Sequence, residues 1–175
     1  MQKEDKMTRA AANSASPESR EKVWDLIKGI KVAMLVTMDG EGHHFARPMV
    51  AQEPDEHHDL WFFSSLDSPK IEEIKANSEV LLSYADPDSN AYVSISGEAA
   101  VVQNRAKIDE LWSESLKAWW PQGKNDPNLT LICVTPKSAE YWDGPSSTVV
   151  QAFGYLKARL TGEPEKMGEN RTVRL

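Results

Sequence analysis

The chain has 175 residues, 40% hydrophobic and 27% charged, with a formal net charge of -7 and a pI near 5.1. Such a chain can bury one core of its own, and its acidity argues against a general affinity for nucleic acid or for an anionic membrane surface. With a lone cysteine, Cys133, no apolar run near the ~20 residues of a membrane span and no signal-peptide core at the start, it is read as a cytoplasmic protein without disulfides.

Residues 1–15 are polar and aperiodic and are expected to form a flexible tail. Ser16-Pro17-Glu18 then has the form of a helix start, with Val23, Trp24, Ile27 and Ile30 on one face and Gly29 where the helix should stop. Lys31–Met38 is a run of strand formers. Asp39-Gly40 supplies a hairpin turn, which Glu41-Gly42 can lengthen. The returning strand is His43–Gln52. Pro48 has no N–H, so this strand is expected to be an edge or to be interrupted there.

After the acidic loop Glu53–Asp59, Leu60–Ser64 is the third strand. It runs into Ser64-Ser65-Leu66-Asp67-Ser68-Pro69-Lys70, where Ser68 can cap a helix and Pro69 fits its first position. Two readings of this junction stand side by side. One is an ordinary strand–turn–helix link. The other is an anion site, since hydroxyls, free N–H groups and a lysine meet at a helix N-terminus.

Ser68–Asn77 is a short helix with Ile71 and Ile74 inward, and Glu79–Ala85 and Ala91–Val102 are strands around the turn Pro87–Asn90. Asn104 should cap a helix running to about Ala118, broken by Trp119-Trp120-Pro121. Leu129–Thr135 and Ala139–Trp142 form a last strand, bent near Pro136. Val149, Val150, Phe153, Leu156 and Leu160 recur at helical spacing, and a polar tail follows from 161. Cys133 alternates within a strand and reads as a small core residue. The sum is about six short antiparallel strands with two or three inserted helices, a mainly β chain suited to a closed or half-closed barrel. One domain is expected over residues 16–160, with tails 1–15 and 161–175.

The order of these pieces resembles a known family. Ala46-Arg47-Pro48-Met49 follows the first hairpin. Then come Leu60-Trp61-Phe62-Phe63-Ser64-Ser65, Ser68-Pro69-Lys70, Val93-Ser94-Ile95-Ser96-Gly97-Glu98, Trp119-Trp120-Pro121-Gln122-Gly123-Lys124 and Ala139-Glu140-Tyr141-Trp142-Asp143. Together they resemble the general stress protein branch of the FMN-binding split barrels, relatives of pyridoxamine 5'-phosphate oxidase. The resemblance implies a six-stranded Greek-key split barrel and a homodimer with FMN in a groove at its interface. It places Arg47 and Lys70 at phosphate-binding positions, with Ser64, Ser65 and Ser68 beside them. Pro48, Met49 and Val50 fall on the strand that faces the flavin ring. Trp142, and Trp119 or Trp120, fall at aromatic positions near the ring or the second subunit.

Physical chemistry agrees with that carry-over. A phosphate of nearly two charges suits a lysine, an arginine fork and hydroxyls at a helix start. A flavin ring suits an apolar slot.

The chain also departs from the oxidase. There, an Arg and a His two residues apart near the end hold the substrate. Here the end is Glu169-Asn170-Arg171-Thr172-Val173-Arg174-Leu175, and all four histidines lie between His43 and His58. Pyridoxamine phosphate oxidation itself is therefore not expected. His43-His44 and His57-His58 are adjacent pairs; adjacent residues on a strand point to opposite faces and such a pair rarely chelates, so no metal site is expected. The reading that results is an FMN-dependent oxidoreductase with an unknown small substrate. The alternatives are a non-catalytic FMN-binding stress protein, or the same groove used for another ligand such as a deazaflavin.

Overall fold

The computed structural model of the chain describes residues 16–144, apart from 53, 55 and 56, together with residues 169–175. The expected tail 1–15 and the helical spacing from Val149 to Leu160 lie outside the described residues. In chain order the elements are α1 (Pro17–Lys28), β1 (Val32–Met38), β2 (His44–Val50), β3 (Leu60–Ser65), α2 (Pro69–Ala76), β4 (Glu79–Asp86), β5 (Ala91–Val102), α3 (Arg105–Leu111), two 3-10 turns (Glu114–Ala118 and Gly123–Asn125), β6 (Leu129–Asp143) and β7 (Glu169–Arg174). The strands form one sheet in the order β2-β1-β4-β5-β6-β3, with β7 also paired to β6. β2 and β3, the two ends of that order, are bridged at Ala51 and Phe62, which is how a split barrel covers its edges.

Two compact units make up the chain. The first consists of Lys31–Leu82 and Ser96–Lys137. Its β1–β2 hairpin turns over Asp39–His43. Asp39 Oδ1 accepts from the N–H groups of Glu41 (2.9 Å) and His43 (2.8 Å), and Gly42, at φ +89°, takes the left-handed position. The lengthened form of the turn is the one that occurs, with Gly42 rather than Gly40 at positive φ. β1 buries Ala33, Leu35 and Thr37 and turns Val32 and Met34 outward. The register sets Val32 opposite Val50 and Met34 opposite Pro48. Pro48 thus lies on a terminal strand of the order, as its missing N–H requires.

β3 is buried along nearly its whole length and pairs antiparallel with Leu129–Val134 of β6. Trp61, Phe63, Ile108, Leu116, Leu129, Leu131 and Cys133 form a core cluster, on which Trp112 and Trp120 pack. Phe63 meets Trp112 edge-on and Trp120 at a tilt, each with 5.9 Å between ring centroids. Ile71 and Ile74 bury the inner face of α2, roughly 1.5–3 kcal/mol apiece, and so fix where that helix begins.

Two expectations for this unit change. The helix capped by Asn104, whose side chain accepts from the N–H of Lys107 at 3.2 Å, stops at Leu111 instead of about Ala118. Trp112 leaves the helix with extended dihedrals, packs its ring on Phe63 and donates its indole N–H to Glu114 Oε1 at 3.1 Å. Tertiary packing of one ring here outweighs local helix propensity. The last strand is continuous through Pro136. β3 pairs with Leu129–Val134 and β7 with Ser138–Asp143, so Pro136 falls between these two pairing segments.

The second unit is drawn from Met1–Ile30, Ser83–Ile95 and Ser138–Leu175. Ser16 caps α1 by accepting from the N–H of Ser19 at 3.3 Å, and Val23, Trp24 and Ile27 are the buried stripe. Lys22 pairs with Asp143 at 2.5 Å. The polar end of the chain is a strand here. β7 pairs residue for residue with Ser138–Asp143, buries Val173 and lies against α1. Only Thr172 and Val173 in that segment favour a strand, so its pairing comes from the partner rather than from its own pattern.

Candidate functional site

The strand–helix junction at Ser64–Lys70 is an assembled site within the first unit. The Lys70 ammonium donates to Ser68 Oγ at 2.5 Å and to Ser64 Oγ at 3.4 Å. Ser68 does not cap α2 with its side chain; the lysine takes that oxygen instead. The start of α2 therefore keeps its dipole and its N-terminal N–H directions without a side-chain acceptor. Ser65 Oγ accepts from the Trp120 indole N–H at 3.3 Å, which ties the junction to the tryptophan loop. Burial pushes the Lys70 ammonium below its ordinary value and the neighbouring Arg47 adds to that, with partial relief from Glu73 and Asp67. A half-buried cation so disfavoured gains from any anion that reaches it.

A groove of about 480 Å3 opens over this junction. Ser64, Ser65, Ser68 and Lys70 line one part of it. Val32, Pro48, Met49 and Val50 from the β1–β2 hairpin line another. Phe63, Leu116, Trp119 and Trp120 supply aromatic and aliphatic wall. Trp119 remains 64% exposed at its rim. The size lies within the range of ~300–1,000 Å3 usual for small-molecule sites. Lys70 is the one ionisable side chain among the described lining residues.

Most of the residues expected at the site are thus brought together: Pro48, Met49, Val50, Ser64, Ser65, Ser68, Lys70 and Trp119 all line the groove. Two stand elsewhere. Arg47, expected on the phosphate beside Lys70, points its guanidinium at Glu73 Oε1 (2.7 Å) and Thr37 Oγ1 (2.6 Å) and lies over the Phe45 ring at 5.3 Å. Arg47 shares a face of β2 with the groove-lining Met49, and its side chain is held on Glu73 and Thr37 instead. Trp142 belongs to the second unit, on β6 opposite Asn170.

Sequence reasoning missed Thr37 and Glu73. Thr37 also donates to Glu73 at 2.5 Å. One signal was available: Glu73 stands three residues after Lys70, a spacing that puts both on one side of a helix. Burial works against ionisation of Glu73, but hydrogen bonds from Thr37 and Arg47 outweigh it and hold the carboxyl below its ordinary value.

Residues 18–165 match the family model described as pyridoxamine 5'-phosphate oxidase like. The chain belongs to that family. Within it, general stress protein 26 of Bacillus subtilis is 30% identical over 137 residues, 75% of this chain and 93% of that protein. A solved structure described as a general stress protein 26 from Jannaschia sp. CCS1 superposes with a TM-score of 0.75 at 25% identity, covering 91% of this chain and all 100% of that one. The general stress FMN/FAD binding protein of Xanthomonas citri is 34% identical with a TM-score of 0.65, over 75% of this chain and 93% of that one. The split-barrel fold of the pyridoxamine 5'-phosphate oxidase-like family is therefore the fold of this chain. No helix among the described residues is long and apolar enough to cross a membrane.

Proposed function

We propose that the groove binds flavin mononucleotide and that the protein is a flavin-dependent oxidoreductase of the general stress type, acting on a small molecule. The observation that carries this reading is the donor set. Two hydroxyls lie within 3.4 Å of one ammonium at a helix start without a side-chain cap, and the space beside them is apolar and walled by tryptophan. That set fits a phosphomonoester joined to a flat aromatic ring. The flavin binding stated for the Xanthomonas citri relative supports the same ligand class.

In this reading Lys70, Ser64 and Ser68 hold the phosphate. Met49, Val50 and Phe63 offer an apolar surface to the ring, and Trp119 and Trp120 exclude water from it. A bound flavin supplies hydride or electron transfer, and the protein orients it. The groove offers Lys70 alone as an ionisable lining group among the described residues, which favours a second reading as well: binding without turnover. Oxidation of NADH or NADPH by the FMN-loaded protein, faster than by free FMN, selects the enzyme. No excess over free FMN selects the binding protein.

The protein acts as a homodimer in this reading. Val32, Met34, Pro48 and Val50 form an exposed apolar row across β1 and β2, and Val32, Pro48 and Val50 of that row also line the groove. An apolar face adjoining a ligand groove suits a second copy of the chain.

Flavin fluorescence titration tests the site. Lys70→Ala should weaken FMN binding by about tenfold or more, as expected for loss of one charge-assisted contact. Arg171→Ala, on a side chain paired with Glu169 in the second unit, should leave it unchanged. Equal losses in the two variants count against the groove.

A further inference from the structure

The groove has a second polar position, away from the Lys70 junction. Gln52 follows β2 and lines the groove with a half-buried side chain. Its backbone N–H donates to the Trp61 carbonyl at 3.0 Å, one step beyond the Ala51–Phe62 bridge between the two strands. That bond fixes Gln52 level with Trp61, and Ser64 of the junction stands three residues further along β3. At the rise of a strand the two levels are about 10 Å apart. Val50 and Phe63, which line the groove between them, are apolar.

The described residues engage the Gln52 carboxamide only weakly. Its Nε2 donates to the Val50 carbonyl at 3.5 Å, the long limit for such a bond, and its Oε1 accepts from no described residue. Outside the junction, the other described lining side chains offer aliphatic or aromatic carbon, the Met49 sulfur and two indole N–H groups. The indole N–H of Trp120 is already given to Ser65. Gln52 thus brings the one side-chain oxygen acceptor to that part of the groove, with an N–H donor beside it on the same planar group.

We propose that Gln52 determines which ring the groove accepts: its carboxamide pairs with an imide edge, Oε1 accepting from a ring N–H and Nε2 donating to the ring carbonyl beside it. A flavin carries such an edge at N3 and its flanking carbonyls. Its ribityl chain and inner ring bridge the ~10 Å from that edge back to a phosphate at Ser64 and Lys70. A phosphorylated ring without an imide, such as pyridoxal phosphate, satisfies the junction but leaves both atoms of the amide unmatched. Polar groups left unpaired in a shielded site discriminate strongly between ligands of similar size. The inference deepens the flavin reading and rests on it for the ligand.

Fluorescence titration compares FMN with N3-methyl FMN, whose imide no longer donates, on the wild type, Gln52→Met and Lys70→Ala. Methionine keeps the length of glutamine without its amide, and the backbone bond to Trp61 is untouched. The wild type should bind FMN about tenfold tighter than N3-methyl FMN, the fold-change of one lost hydrogen-bonded edge. Gln52→Met should bind FMN about tenfold more weakly than the wild type and no longer tell the two ligands apart. Lys70→Ala should lose affinity for both and keep the preference, because it acts at the other end of the groove. A preference that survives in Gln52→Met overturns the proposal, as does a wild type that binds both ligands equally. If Gln52→Met does not fold, Gln52→Ala is read in the same way. A wild type that binds neither ligand ends the flavin reading and this proposal with it, whereas tight FMN binding with an undiminished preference in the Gln52 variant ends the proposal alone.

Discussion

Lys70 and Glu73 sit one helical turn apart and answer to opposite pressures. The protonated lysine costs the folded protein some stability, in full below its folded pKa and relieved as the pH climbs toward 10.5. A bound anion offsets the same cost. Glu73 behaves in the reverse sense. Its folded carboxyl lies below the ordinary 4.5, so its contribution is present above that pH and is lost as the pH falls through the lower folded value. Urea unfolding from pH 7 down to pH 3 should therefore show Glu73→Gln less stable than wild type at neutral pH, with the gap closing in acid. A gap that stays constant over that range would place the effect in packing rather than charge. At this scale the grouping of Lys70, Ser64 and Ser68 was legible, because they crowd around one Ser-Pro helix start, but that Lys70 takes the Ser68 oxygen in place of a helix cap was not. The Arg47–Glu73–Thr37 triangle was not, since it joins β2, α2 and β1 through side chains far apart in the chain.

Elements show how local signals hold until packing overrules them. Ser16 and Asn104 cap the helices their sequences announce, and Gly42 takes the left-handed turn. Ser68 looks the same in sequence and does something else, because a lysine two residues on reaches its oxygen first. Gly97 on β5 marks a close approach of strands. A Cβ there would stand 2.6 Å from the Thr135 carbonyl oxygen and 3.0 Å from Val134 Cγ1. Backbone cannot yield as a flexible side chain can, so Gly97→Ala should destabilise the protein by about 1–3 kcal/mol in chemical denaturation. A neutral result would mean that β5 and β6 can part locally. The early end of α3 and the strand at Glu169–Arg174 were illegible for a shared reason: each depends on a partner, the Phe63 ring or the edge of β6, that lies far off in sequence.

For the molecule as a whole, the exposed apolar row on β1 and β2 is the feature that a single chain leaves unexplained. Val32 and Val50 are 45% and 46% exposed and stand opposite each other in register. As a homodimer the protein should scatter light at about twice 19.6 kDa at micromolar concentration, and Val50→Glu should shift it toward the monomer. A wild-type mass of one chain would remove the dimer. The sequence by itself determined the strand-rich class, the order of hairpins and helices, the family and the cluster around Lys70. Those rest on period-two alternation, turn chemistry and motif order, which act between near neighbours. Only the tertiary structure decided that Trp120 ties to Ser65 while Trp119 stands at the rim of the groove, that β6 runs unbroken through Pro136, and that Arg47 pairs with Glu73. Each of these is a choice between partners distant in sequence, and burial and charge settle that choice only once the chain has folded.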